Sequence, residues 1–386
     1  MDARSRPLLV LLGLLTFAPA GILAGDDFEQ FREQQQQSFD EFASDFRERY
    51  AEFRDAFHEE LEAYQEELAE RWQEPQVSDR TAWVRYGDDQ TSRTVVDYEA
   101  NKITVEVPGH GRPALGAAAE ELDELLQVTM AEAYEQDEVT QRTWDRLDVS
   151  EQEATAASED DQQRVLSEIS AEDVEQMLAH AEAQEREEPE GADQRDVLSL
   201  SVPMPETRTS DKAEEFREEV EAEAQRYDVD PALMLAVMHS ESSFNPMARS
   251  HIPAFGLMQI VPETAGQDIA QRIYGEQRLF SPDYLYNPDN NIRAGAVYLD
   301  ILQSSYLDAI EDPESRLYAV ISAYNTGAGN VARAFTDSTN VEAAAKVINQ
   351  LSPEEVYQRL REDLPYEETR NYLVNVASRH QAYQDD

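Results

Sequence analysis

Among the residues able to do acid–base chemistry, Glu241 has the most telling surroundings. It closes a run, Ala232 to His239, that is almost wholly apolar and opens with Asp230 and Pro231, an N-cap followed by a first-turn proline. On a helix the positions three, four and seven before Glu241 are Met238, Val237 and Met234, so the carboxylate is expected over an apolar stripe. Desolvation there disfavours the charged form and raises the pKa, the condition for a glutamate to act as a general acid near neutral pH. The same helix also allows a plainer arrangement, with Glu241 turned to solvent where the helix ends. The chain has no cysteine, which excludes thiolate nucleophiles, thiolate metal sites and disulfides. No His/Asp/Glu grouping has zinc-like spacing, so neither metal nor cofactor is expected. His251 is expected on an exposed loop, Glu263 in the first turn of a helix where the dipole favours an acid, and Glu368 in a surface pair with Arg370 or at a cleft rim.

Downstream the order of short motifs is informative. Glu241-Ser242-Ser243-Phe244-Asn245-Pro246 is followed by Phe255-Gly256-Leu257-Met258-Gln259-Ile260, by Pro262-Glu263-Thr264-Ala265, and later by Ala323-Tyr324-Asn325-Thr326-Gly327. Each alone is weak; together, in this order, they resemble the lysozyme-like catalytic domain of the soluble-type lytic transglycosylases. Asn287 to Leu299 and Glu368-Thr369-Arg370-Asn371-Tyr372 also look like segments of that family, which extends the resemblance over roughly residues 211 to 383. Trp83 to Tyr86, Arg93 to Tyr98 and Lys102 to Glu106 resemble, more loosely, strands of the domain preceding the catalytic one in a membrane-bound branch of the family.

The resemblance implies a single-carboxylate mechanism, whereas most glycosidases use two. Glu241 would protonate the glycosidic oxygen between N-acetylmuramic acid and N-acetylglucosamine, with the substrate's N-acetyl carbonyl stabilising the developing charge. The resulting carboxylate would take the proton of the muramic C6 hydroxyl as it attacks C1, leaving a 1,6-anhydro end. Gln259 would offer a neutral hydrogen-bonding group to sugar substituents. Tyr324 and Tyr372 would bond Glu241 or the N-acetyl group, Asn325 would order the same loop, and Ser242 would orient the carboxylate. Met258 and Phe244 would shape the cleft wall or belong to ordinary core. The implied partner is the peptidoglycan glycan strand. Two rivals stand beside this reading: a goose-type lysozyme, which would hydrolyse the bond and is expected to place a second acid opposite the sugar, and a non-catalytic peptidoglycan-binding scaffold, which would not need the acid.

The elements that must hold these residues divide the chain. Arg4 and Arg6, an apolar run from Leu8 to Phe17 and Ala18-Pro19-Ala20 read as a signal peptide over residues 1–24, directing the protein to the periplasm. Leu23-Ala24-Gly25 has the look of a lipobox, but Asp26 stands where cysteine is required, so no lipid anchor is expected. Residues 25–80 are assigned to a long amphipathic helix: Phe39, Phe42, Phe46, Tyr50, Phe53, Phe57, Leu61, Tyr64, Leu68 and Trp72 follow an 11-residue repeat that keeps one apolar stripe on a nearly straight helix. That stripe either packs on its own protein or projects to pair with another copy or a cell-wall partner. Residues 81–205 read as a small α+β domain with strands at Ala82 to Tyr86, Arg93 to Tyr98, Lys102 to Val107 and Leu198 to Met204. Helix is expected from Leu115 to Ala183 apart from a loop over Ser150 to Asp161, with a polar break at Glu187 to Arg195. Residues 206–386 form the mainly helical, lysozyme-like domain. The fold class is α+β.

Charge narrows the setting. The formal net charge is −49, from 81 acidic against 32 basic residues, and Lys102, Lys212 and Lys346 are the only lysines. No basic footprint for nucleic acid exists. Such an excess repels itself at low ionic strength and is screened in brine, which fits a protein that works in high salt as well as a merely acidic surface.

Overall fold

In the computed structural model the described residues are 51–147, 162–190, 193–251, 253–276, 278 and 280–385. The expected signal peptide, Asp26, the loop over Ser150 to Asp161, and the stripe residues Phe39, Phe42, Phe46 and Tyr50 lie outside them. Phe46–Asp386 is one compact unit.

Its first half holds an antiparallel sheet of five strands, β1 (Ala82–Tyr86), β2 (Arg93–Asp97), β3 (Lys102–Pro108), β4 (Glu182–Glu190) and β5 (Asp193–Pro203), in the order β1-β2-β3-β5-β4. The β2–β3 hairpin turns at Glu99 to Asn101, with Asn101 in the left-handed region at φ 52°, a conformation asparagine tolerates. Ile103, Val105 and Val107 are buried on one face of β3, in register with Val202, Leu200 and Leu198 of β5. The Gly111–Leu125 helix covers this half of the sheet with Ala114, Ala118, Leu122 and Leu125.

Two expectations need correction. The stretch from Leu115 to Ala183 is not continuous helix: it holds the separate helices Gly111–Leu125, Met130–Glu135, Glu138–Arg146 and Ala171–Ala179. Within the supposed break at Glu187 to Arg195, Glu187–Glu190 and Asp193–Arg195 are paired strand, the end of β4 with the start of β5. β4 reads Glu-Ala-Gln-Glu-Arg-Glu-Glu-Pro-Glu, with no apolar alternation to betray it. It is an edge strand held by the backbone ladder to β5, and exposed charge is what such an edge carries. One of its carboxylates turns inward: Glu188 is buried, 2.7 Å from Arg186 and accepting from the Gln73 amide at 2.8 Å.

Residues 51–69 are helical, and Phe53, Phe57, Leu61, Tyr64, Leu68 and the following Trp72 are all buried. The stripe is covered by both halves of the protein: Phe53 lies 5.0 Å from the Trp144 ring, Tyr64 6.2 Å from Tyr86, and Phe57 6.4 Å from Phe255 in the helical half. Trp72 donates from Nε1 to Gln90 O and is flanked by the guanidinium groups of Arg93 and Arg195 at 4.3 and 4.6 Å, cation–π geometry. Over the described residues, then, the stripe packs on its own protein.

From Arg208 onward the described residues are mainly helical. The Pro231–Ser242 helix is apolar on every side, as only a central helix can be. It packs chiefly against the Glu367–Asp385 helix and also against Arg217–Tyr227. The whole is α+β, a sheet half followed by a mainly helical half. Among the described residues no helix is long and apolar enough to cross a membrane.

Candidate active site

The central helix is fixed at both ends. At its start Asp230 caps the Ala232 amide at 2.9 Å, and the second carboxylate oxygen lies 2.6 Å from His380 Nε2. At its end Ser243 and Phe244 both adopt left-handed φ, 51° and 61°. Two successive non-glycine residues in that region cost about a kcal/mol or more each, and here the turn begins two residues after Glu241. Buried Arg208 helps hold it by donating to Ser243 O at 3.4 Å and to Tyr98 O at 3.1 Å.

The segment Phe255 to Ile260 lies beside this helix end. Asn291, fully buried, accepts from the Met258 amide at 2.7 Å and donates to Phe255 O and Leu285 O at 2.8 and 2.7 Å. Gly256 is required where it stands. Its φ is +74°, and a Cβ there would lie 2.2 Å from Leu285 O and 2.3 Å from Asn291 Nδ2. Gln259 is also left-handed, at φ 47°. Its amide nitrogen donates to Ala248 O and Gly256 O at 3.1 and 3.0 Å, which fixes the amide's orientation and leaves Oε1 buried without a protein donor. Met258 is fully buried, and a Cβ on Gly295 would come within 1.9 Å of its sulfur. Its side chain is therefore core; its carbonyl accepts from Tyr324 Oη at 2.8 Å.

The remaining residues named from sequence fall around the same point with altered roles. Ser242 Oγ lies 2.8 Å from Leu257 O and 3.1 Å from Met238 O, so its proton goes to a backbone carbonyl and it joins helix to loop instead of orienting the carboxylate. Tyr324 likewise spends its proton on Met258 O. Asn325 Oδ1 accepts from Thr369 Oγ1 at 2.7 Å, tying the end of the Pro313–Thr326 helix to the start of Glu367–Asp385. Phe244 is fully buried. Tyr372, one turn further along that last helix, is the hydroxyl that faces Glu241. It is buried, forms no hydrogen bond of ordinary geometry, and its interaction with Glu241 favours the carboxylate.

Sequence reasoning placed Glu368 at the rim as one alternative but missed its partner. Arg80, just before β1, places Nη1 4.0 Å from Glu241 Oε2 and 3.4 Å from Glu368 Oε1. Glu368 thus pairs with Arg80 at the cleft rim, whereas Arg370 donates to Leu364 O at 2.5 Å. Nothing local in the sequence signals a contact across about 160 residues. Glu263 lies one residue before the N-cap Thr264 of the Ala265–Tyr274 helix, outside its first turn, and is 3.9 Å from Arg54. His251 is exposed.

Glu241 itself is 6% exposed. Burial pushes its carboxyl up to about 7, opposed by Tyr372 and by the Arg80 charge and slightly assisted by Glu368. Burial, with the nearby Glu241 charge, also raises the Tyr372 and Tyr324 hydroxyls well above their ordinary range, so both stay neutral donors. A lone carboxyl poised near neutrality can give a proton and take one back. Among the described residues the one other carboxylate acting on it is Glu368, which is largely exposed and already paired.

Residues 218–349 match the family model of the transglycosylase SLT domain. Glu241, Ser242, Met258, Gln259, Tyr324 and Asn325 fall inside the matched span; Tyr372 and Glu368 lie beyond it and Arg80 before it. Membrane-bound lytic murein transglycosylase C from Haemophilus influenzae strain PittEE is 46% identical over 180 residues, 47% of this chain and 50% of that protein. Its namesake from Sodalis glossinidius is 43% identical over 182 residues, 47% of this chain and 50% of that protein. The chain therefore spans about half the length of the curated relatives it matches. An inactive mutant of the lytic transglycosylase Slt from Pseudomonas aeruginosa aligns with a TM-score of 0.34 at 28% identity, covering 44% of this chain and 24% of that one.

Proposed function

We propose that the protein is a lytic transglycosylase that cleaves the β-1,4 bond between N-acetylmuramic acid and N-acetylglucosamine in peptidoglycan, forming 1,6-anhydro-muramic ends in cell-wall turnover. The observation that carries this is Glu241, a buried acid whose carboxyl burial pushes up to about 7, with no second carboxylate among the described residues placed to activate water. Protonated Glu241 gives its proton to the leaving oxygen. The neighbouring hydroxyl of Tyr372 then steadies the new carboxylate, which withdraws the C6 hydroxyl proton as that oxygen closes on C1. The substrate's own N-acetyl carbonyl shares the positive charge, and no water is consumed. Gln259 Oε1, buried and without a protein donor, accepts from a sugar N–H or O–H group.

The protein is exported to the periplasm by its N-terminal segment and works at high ionic strength. Its charge of −49 would otherwise repel both itself and an anionic wall polymer. The deciding test is mass spectrometry of fragments released from purified peptidoglycan by the wild type and by Glu241→Gln at several salt concentrations. Anhydro-muramic ends from the wild type and none from the variant are expected. Reducing ends would make the protein a hydrolase, and no release by the wild type would leave a binding scaffold.

A further inference from the structure

We propose that Arg80 is a positioning residue of this active site, supplied by the sheet half of the chain to steady the Glu241 carboxylate. The placement is built. Asn245 and Arg249, two buried residues just past Glu241, clamp the backbone that carries it: Asn245 Nδ2 donates to Arg80 O at 3.4 Å, the Arg249 amide to Asp79 O at 3.2 Å, and Arg249 Nε to Ser78 O at 3.3 Å. Asp79 tightens the same turn by accepting from the Thr81 and Ala82 amides, both at 2.8 Å. Arg249 is itself held by Asp137, at 2.5 Å. Three contacts from the helical half thus fix a loop of the sheet half, and its one cationic side chain reaches over the cleft to Glu241.

The charge has a task there. The groups acting on Glu241 are Tyr372, Arg80 and Glu368, with Tyr324 nearby. Burial favours the neutral acid, which suits the first proton transfer and opposes the ionised state that follows it. Arg80 is the one cation among these groups. Glu368, 3.4 Å from the same Nη1, tethers the guanidinium without being buried. Arg80 therefore sets how far burial lifts the acid, and an SLT domain separated from residues 78–82 lacks that control.

This inference rests on the transglycosylase reading for its effect on rate, and its electrostatic part is measurable without turnover. The full-length protein, labelled with carboxyl-13C glutamate, is titrated by NMR as wild type, Arg80→Ala, Arg80→Lys and Glu368→Gln, with Glu241→Gln assigning the signal. Because the clamp uses the backbone at position 80, Arg80→Ala should keep the fold, checked by circular dichroism; Arg80→Gln substitutes if it does not. Removing the cation should raise the Glu241 midpoint by about one pH unit, the low end for a charge at this distance because Arg80 is 43% exposed. Lysine should restore most of the wild-type value, and Glu368→Gln should lower the midpoint by less. In 1 M salt the Arg80→Ala difference should shrink, the screening length there being about 3 Å. The alkaline limb of the pH–rate profile for glycan release should move with the midpoint. A folded Arg80→Ala whose midpoint and limb stay where the wild type's are overturns the proposal. Wild-type release of reducing ends, or of nothing, refutes the transglycosylase reading instead, and the titration still decides Arg80.

Discussion

Replacing Glu241 by glutamine should make the protein more stable, and increasingly so as the pH rises. An unfolded glutamate titrates near 4.5, and burial in the folded state lifts Glu241 to about 7. Its folded pKa lies above its unfolded one, so between these values the native state binds the extra proton and stability falls as pH rises. The stabilisation is whole below about pH 4.5 and gone above about pH 7. Over that window the wild type loses about 3 kcal/mol that glutamine, which does not ionise, keeps. Little of this is screened, because the side chain is 7% exposed. The assay is urea unfolding of wild type and Glu241→Gln side by side at pH 4.5, 6 and 8. Comparison at equal pH cancels the titration of the other acidic residues. The variant's advantage should grow by about 3 kcal/mol from the lowest pH to the highest. A difference that stays flat within about 1 kcal/mol would mean the acid is not held neutral by burial, and the proton-transfer reading would lose its basis.

Two further outcomes follow from the supports around this acid. Asn291→Leu removes three buried hydrogen bonds and strands their backbone partners, so it should cost about 3 kcal/mol or more and lower glycan release by displacing Gln259; thermal unfolding and turnover together would check it, and unchanged values in both would refute the loop-clamp role. Asp230→Ala removes an N-cap and a partner of His380 and should cost about 1–2 kcal/mol. Since those contacts hold the Asp230 carboxyl below its usual value, the stability difference from wild type should persist at neutral pH and fade as pH drops below about 4, as denaturation at pH 7 and pH 3 would reveal.

Much of the site was legible because its parts are local. The apolar run ending in Glu241, the Asp230–Pro231 start and the ordered motifs each write themselves within a few residues, since helix burial and capping act over one to three turns. Over residues 51–69 the period of the aromatic stripe likewise marked a helix with one buried face, although periodicity alone left open what would cover it. β4 was illegible for the opposite reason. Its nine residues, seven of them polar, are strand only because β5 offers them a ladder, and backbone pairing leaves no trace in side-chain pattern.

What the sequence by itself determined, then, is which carboxylate closes the apolar helix and the order of the segments around it, all set by short-range spacing. What only the tertiary structure decided is which neighbour does what. Ser242 and Tyr324 give their protons to backbone carbonyls, Met258 fills the space beneath Gly295, Tyr372 is left facing the carboxylate, and Arg80 arrives from the far half of the chain. Those assignments depend on which donor meets which acceptor when distant segments pack, and hydrogen bonds and charges at a few ångströms are settled by that packing rather than by residue type.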